Sequence, residues 1–353
     1  MLRRFIRNLT ATDVFLWIIR IAIIGAIVYG SVATLVSGKY SGENWLDFTV
    51  FGLAQGSLYA LIALGYTLVY GILLMINFAH GEVFMSGAFT AYHVALAFGN
   101  SGFMDRNPLV ALLICLVVSM GVSAGVAILL ERIAYRPLRN APRLVPLITA
   151  IGASFLLQYT FRGLYGSGVR AYPDVKALEG TWTIFGIEIL KTQTIVILAS
   201  FVLLAGLYLF VQRTKTGKAM RAVAQDKDIS ALMGIDVDRV VVITFALGGL
   251  LAGAAGLLYA LIFKQVHFYM GFVPGIKAFT AAVLGGIGNP LGAAIGGLFL
   301  GIFESVGPSL FLDGLGIAAP YQLKDVIGYS MLVLVLIFLP SGILGERLYE
   351  KKA

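Results

Sequence analysis

Apolar residues fall in long runs along the chain, broken at intervals by short polar stretches. A helix crosses a bilayer with roughly 20 mostly apolar residues. Runs of that order predict helices near 14–36, 48–76, 82–98, 109–131, 144–165, 193–211, 240–263 and 323–340. Membrane β-barrels instead show alternating segments of about 10 residues, so a barrel is excluded. The predicted fold class is all-α, a polytopic membrane protein with about 8–10 transmembrane helices.

Composition supports this reading. The 353 residues are 59% hydrophobic and 12% charged, against roughly 25% charged in soluble domains. Lys and Arg total 26, Asp and Glu 18, for a net charge of +8. In so apolar a chain that excess predicts basic cytoplasmic loops and no nucleic-acid partner. The single cysteine, Cys115, lies in the run LVALLICLVV. A disulfide framework or a cysteine metal site is therefore excluded.

The start MLRRFIRNLT resembles a signal-peptide head, but the apolar run after it is too long and lacks a small-residue cleavage site. A retained first helix is expected, with Arg3, Arg4 and Arg7 placing the N-terminus in the cytoplasm. Counting crossings then puts 131–143 inside, with Arg132, Arg136, Arg139 and Arg143. It also puts inside the loop 212–239, with Arg213, Lys215, Lys218, Arg221, Lys227 and Arg239. Segments 166–192 and 264–275 fall outside, and the tail with Arg347, Lys351 and Lys352 falls inside.

Parity makes the stretch 276–306 special, because one crossing there would leave the tail outside. The break GGIGNPLG at 285–292 offers the alternative: 276–287 enters from outside as a half-helix and 290–306 returns. Pro and Gly at membrane depth are tolerated where freed backbone groups are buried in protein or line a wet cavity. Two readings stay open for this broken or re-entrant segment, a part of the translocation pathway or a kinked packing helix.

Residues 56–62 read GSLYALI and 256–262 read GLLYALI, and AFTA recurs at 88–91 and 278–281. By the crossing count the first copy runs inward and the second outward. That is the relation of inverted-topology halves in transporters, which place the substrate near the midplane. The halves are expected at about 14–165 and 193–340, within a single transmembrane domain spanning 1–353. GxxxG spacings at Gly52/Gly56, Gly121/Gly125, Gly249/Gly253, Gly292/Gly296 and Gly297/Gly301 predict close helix packing.

The segment GILLMINFAHGEVFMSGAF, 71–89, sets Asn77, His80, Gly81 and Glu82 between two apolar runs. Ionisable groups at such depth are costly and tend to face a cavity. A His beside a Glu suits proton relay or ligand hydrogen bonding; capping of a tight turn is the plainer reading. His80, His93 and His267 are too scattered for a metal cluster. Arg20 and Arg162 lie near helix ends where they snorkel. Glu304 is expected near the outer mouth, as a solvated cap or a ligand contact. No nucleophile and base arrangement stands out, so no catalytic residue is assigned.

The loop QRTKTGKAMRAVAQDKDISALMGIDVDR, 212–239, predicts one or two short helices. Ala219, Ala222, Val223, Ala231, Leu232 and Ile235 form a possible apolar face, and Asp226, Asp228, Asp236 and Asp238 follow the basic residues. A docking surface for a cytoplasmic partner suits this pattern, as does contact with the membrane surface. The phosphate-loop motif GxxxxGK[ST] is absent, since no Gly stands five residues before Gly217.

With INFAHGE at 76–82, RAVAQDKDISALMGIDVDR at 221–239 and AFTAAVLGGIGNPLGAAIGG at 278–297, the chain resembles the permease subunit of bacterial branched-chain amino acid ABC importers, the LivH type. The resemblance runs from about 48 to 340. It implies an inner-membrane permease working with a homologous second permease (LivM-like), two cytoplasmic ABC ATPases and a periplasmic amino acid-binding protein. No cofactor is expected in this chain; ATP and Mg belong to the ATPases. It implies a coupling helix with Arg221, Ala222, Asp226, Asp228, Ala231 and Gly234, although ALMG at 231–234 keeps the Gly of the general coupling signature and lacks its Glu. The candidate substrate pathway is Tyr59, Asn77, His80, Gly81, Glu82, Phe279, Gly288 and Pro290. Branched-chain amino acids are the expected substrates, with urea or short amides as the alternative within the same architecture, and a self-sufficient secondary transporter as the competing class.

Overall fold

The computed structural model describes residues 11–139, 141–142, 144–184, 187–339 and 341–345. The charges assigned to Arg3, Arg4, Arg7, Arg143, Arg347, Lys351 and Lys352, and the end of the last expected helix at Pro340, lie outside these residues. The chain is built from α1 (Ala11–Ser37), α2 (Gly42–Leu73), α3 (His80–Asn100), α4 (Pro108–Leu130), α5 (Leu144–Tyr165) and α6 (Lys191–Arg213). These are followed by α7 (Lys215–Gln225), α8 (Lys227–Leu232), α9 (Val237–Phe263), α10 (Phe272–Gly285), α11 (Pro290–Gly307) and α12 (Lys324–Phe338). Among the described residues, 8 helices are long and apolar enough to cross a membrane; α3, diluted by polar residues, and the 14-residue α10 are not among them.

Helix starts follow their caps. α2 begins at Gly42, earlier than its apolar run, because Ser41 Oγ accepts from the Asn44 amide at 3.3 Å and Asn44 Oδ1 accepts from the Ser41 amide at 3.0 Å. Thr214 caps α7, Asp226 caps α8 and Asp236 caps α9, each accepting from the amide three residues on. Pro108 and Pro290 stand at the first positions of α4 and α11, where a missing N–H costs nothing.

Burial sorts the helices into a centre and a rim. The apolar window of α2 is 89% buried and that of α9 72%, whereas that of α1 is 6% buried. α2 is therefore a protein-surrounded axis, and α1, α6 and α12 present apolar side chains outward, as lipid-facing helices do. α2 packs on α11 along glycines: a Cβ on Gly56 would lie 2.9 Å from the Gly297 carbonyl oxygen. α2 and α9 cross where Gly65 faces Gly248, and a Cβ on Gly65 would lie 3.3 Å from the Gly248 Cα. Both crossings are of the small-residue kind that lets backbones meet in a membrane.

The segment 166–192 carries three short strands, β1 (Arg170–Ala171), β2 (Thr181–Ile184) and β3 (Ile187–Leu190). β2 and β3 form an antiparallel hairpin. β1 pairs antiparallel with β4 (Gln265–Val266), just after α9, so this segment is tied to the loop that leads into α10. A salt bridge of 2.9 Å between Lys264 and Asp174 reinforces the tie.

Candidate functional site

The INFAHGE stretch is where the chain turns back into the bundle. α2 stops at Leu73, residues 74–79 leave helical geometry, and α3 opens at His80. The His80 ring lies against Gly65, whose Cβ would collide with it, and edge-on to Tyr66 at 4.9 Å between centroids. Gly65 is eight residues before the end of α2, about 12 Å along the axis at 1.5 Å per residue. α3 therefore starts inside the bundle, well short of the level where α2 ends.

The second half of the chain does the same. The loop 264–271 passes inward from the end of α9, burying Val266 and Met270, and α10 opens at Phe272. The two openings meet at glycines: a Cβ on Gly81 would strike the Gly271 carbonyl and lie 3.3 Å from the Gly275 Cα. Only hydrogen fits at Gly81. The N-termini of two helices thus converge at one depth in the bundle.

The polar residues around this junction serve different partners. Asn77 Oδ1 accepts from the Tyr135 hydroxyl at 2.9 Å. Glu82 Oε1 accepts from Gln158 Nε2 at 2.7 Å and from Ser154 Oγ at 3.3 Å, both on α5. His80, Glu82 and Asn77 are nearly fully buried, and His80 Nε2, Glu82 Oε2 and Asn77 Nδ2 have no hydrogen-bond partner among the described residues. His80 faces α2 while Glu82 faces α5, so the structure does not join them as a relay pair.

The broken segment expected at 276–306 is present, but its half-helix is set differently: α10 begins at Phe272, in the bundle interior beside Gly81. The break at 286–289 lies at the other end: a Cβ on Gly71, two residues before the end of α2, would lie 3.8 Å from the Gly288 carbonyl oxygen. There the Ile343 and Leu344 amides donate to the Leu284 and Gly285 carbonyls, which satisfies the end of α10. Gly288, at φ +100°, and Pro290 therefore form a turn between two helices at that end of the bundle. The unwound backbone at depth is 74–79 and 264–271 instead.

Two cavities flank α10. One, of about 330 Å³, is lined mostly by apolar groups including Tyr66, Phe78, Gly81, Ser154 and Phe272. The other, of about 230 Å³, is lined by Gln55, Tyr59, Tyr259, Val273, Lys277 and Asp325 among others. Phe279 packs against Tyr66 and Phe78, with centroids at 6.0 and 5.5 Å.

The second cavity exposes what the sequence reading missed. Lys277, a lone charge in α10, is 3% exposed and donates to Glu304 Oε2 at 2.9 Å and to Asp325 Oδ1 at 2.7 Å. Glu304 is 1% exposed, so it is not a solvated cap. Its Oε2 also accepts from the Tyr59 hydroxyl at 2.9 Å and from Gln55 Nε2 at 3.1 Å. A charge isolated in an apolar run was the available signal, since intramembrane ions mark function by default.

At the opposite end of α9 sit α7 and α8. Arg221 Nη1 donates to the Val211 carbonyl at 2.8 Å and to Gln212 Oε1 at 2.6 Å, fastening α7 to the end of α6. Ala222 is half-buried, while Asp226, Asp228, Ala231 and Gly234 are exposed. The expected apolar face divides: Val223 is buried, but Leu232 is 87% exposed, with Ile229 and Met233 also exposed beside it. Arg136 and Arg139 are not a loose basic tether, because both pair with Asp238, and Arg139 also pairs with the buried Glu131.

Residues 48–336 match the family described as branched-chain amino acid transport system / permease component. The chain is 41% identical over 311 residues to the high-affinity branched-chain amino acid transport system permease protein BraD of Pseudomonas aeruginosa, covering 87% of this chain and 98% of that one. It is 41% identical over 305 residues to LivH of Escherichia coli, a permease protein of the same description, covering 85% and 95%. The ribose import permease protein RbsC of Escherichia coli is a more distant relative, 25% identical over 304 residues and covering 84% and 86%. A match of this extent, on a bundle whose paired helix starts and apolar spans suit a transporter, places the chain in the branched-chain amino acid transport permease family.

Proposed function

We propose that this chain is the permease subunit of an ATP-binding-cassette importer that carries branched-chain, aliphatic amino acids across a bacterial inner membrane. The observation that carries the reading is the 41% identity, spanning nearly the whole of BraD, to a permease of high-affinity branched-chain amino acid transport. A homologous LivM-like permease would complete the membrane core, and a periplasmic binding protein would deliver substrate. Two cytoplasmic ATPases would bind ATP and Mg, and this chain would hold no cofactor.

The end bearing α7 and α8 is assigned to the cytoplasm and the strand-bearing segment 166–192 to the periplasm. Support comes from the basic residues of 212–239. Within that loop the exposed cluster of Ile229, Leu232 and Met233 suits an ATPase groove, with Arg221 and Asp226 holding the helices in place.

The halves 14–165 and 193–340 are read as an inverted repeat. α2 and α9 both end on a non-glycine residue in left-handed geometry, Leu74 and Lys264. Each is followed by an unwound strip and then by a helix opening at the shared depth, and the two AFTA copies fall within α3 and α10. The strip 74–79 with Asn77 and the start of α3 with His80, Gly81 and Glu82, together with the strip 264–271 and α10 with Phe279, are the parts that inverted-repeat transporters use at the substrate site.

The test is purification of the tagged chain from its native membrane, with mass spectrometry of what accompanies it, followed by reconstitution. A second permease and ATPases should co-purify, and leucine uptake should require ATP and the binding protein. Uptake by the chain alone without ATP would make it a secondary transporter. Uptake of urea in place of leucine would move the substrate class to amides.

A further inference from the structure

We infer that the cavity beside Lys277 is a binding station for a zwitterion, an inference that rests on the amino acid importer reading above. The cavity lies at the end of the bundle where α9 finishes and α12 begins, opposite α7 and α8. Lys277 Nζ and Asp325 Oδ1 stand 2.7 Å apart on its wall. Behind them Glu304, wholly withdrawn from solvent, fixes the ammonium at 2.9 Å.

An ammonium has three N–H groups. Glu304 and Asp325 take two of the three on Lys277, and no other side chain among the described residues takes the third. Asp325 keeps a half-exposed carboxylate, and only its Oδ1 accepts from Lys277. The wall therefore offers one donor and one acceptor of opposite charge, side by side, and an α-amino acid presents the same pair in reverse. Its carboxylate would accept a hydrogen bond from the third Lys277 N–H, and its ammonium would reach the open side of Asp325.

Charge balance selects further. Lys277 and Lys324 against Glu304 and Asp325 sum to zero around the cavity, so a ligand of zero net charge keeps the balance. A net anion or cation would leave a desolvated charge without a partner. Met270, Val273, Pro274 and Phe263 make the apolar side of the chamber, which suits an aliphatic side chain. Urea would gain only hydrogen bonds between unlike partners, neutral on its side and weaker than those between two ions.

The experiment uses the whole transporter in vesicles, with Val273→Cys on the cavity wall and Cys115→Ser removing the buried native thiol. Labelling by a small maleimide should be slowed by leucine and not by isocaproate, isoamylamine or urea. Asp325→Asn, at a half-exposed position, should raise the leucine concentration for half-protection about tenfold. The paired change Lys277→Met with Glu304→Gln keeps the site neutral and should abolish protection, whereas Lys277→Arg should keep it. Protection by isocaproate or urea, or leucine protection that survives both Asp325→Asn and the paired change, overturns the inference. Absent protection while the same vesicles import leucine overturns the station alone; absent leucine uptake overturns the importer reading and the station with it.

Discussion

Lys277 and Glu304, 27 residues apart in sequence and on opposite sides of the turn at Gly288, meet at 2.9 Å with both side chains buried. Helices α10 and α11 are thereby clamped to each other, and Asp325 ties in α12. A buried ion pair adds little net stability compared with apolar neighbours, but removing one partner strands a charge.

Lys277→Met alone is accordingly expected to destabilise the protein by about 3–5 kcal/mol, and Glu304→Gln less, since a neutral amide keeps some hydrogen bonds. Adding Glu304→Gln to Lys277→Met should recover most of the loss. Thermal unfolding of the purified complexes checks this. A double variant as unstable as the sum of the singles would show that the two residues act independently.

Gly81 is expected to tolerate no side chain. A Cβ there meets the Gly271 carbonyl and the Gly275 Cα, so Gly81→Val should push the starts of α3 and α10 apart. Overpacking of this sort costs about 1–3 kcal/mol. Leucine uptake should fall by more than membrane abundance falls, as measured by parallel immunoblot and transport. Wild-type uptake per molecule would detach the junction from transport.

The turn at 286–289 should behave differently. Gly288 sits at φ +100° in open space, so Gly288→Leu combined with Pro290→Leu meets backbone strain of roughly 1–2 kcal/mol rather than a clash. Because this turn lies beside Gly71 at the end of the bundle, thermal stability should drop while uptake per molecule holds. Loss of uptake at unchanged abundance would return the turn to the translocation path.

These contrasts mark what the sequence could disclose. Apolar runs of about twenty residues are unambiguous, and the helices they predicted appear with ends shifted by only a few residues, mainly where a cap such as Ser41 overrides hydropathy. The polar island at 77–82 was visible because it interrupts such a run. The depth at which α3 begins was not, because Leu74, Met75, Ile76 and Phe78 are as apolar as any helix and composition does not separate unwound from helical backbone. Glu304 was misplaced for a related reason: its burial depends on Lys277 and Tyr59, and periodicity within one helix says nothing of partners on two others. The break at 285–292 was legible as a break, and its depth was fixed only by the packing of α10 on Gly81.

The α7–α8 loop yields the last prediction. Leu232 is 87% exposed and Met233 79%, on a loop whose other features are spent on holding its shape: Asp226 caps α8 at 2.9 Å and Arg221 fastens α7. Exposed substitutions away from such features change stability by about 0.5 kcal/mol or less. Leu232→Asp should therefore leave the permease inserted and as heat-resistant as before, while the ATPases no longer co-purify. Gly234, at φ +83° with open space around it, adds a second handle: Gly234→Arg strains the joint between α8 and α9 and should leave ATP hydrolysis running without uptake. Arg221→Ala, by contrast, should loosen α7 itself and lower stability. ATPase retention and normal uptake with both Leu232→Asp and Gly234→Arg would show that the docking surface lies elsewhere on the chain.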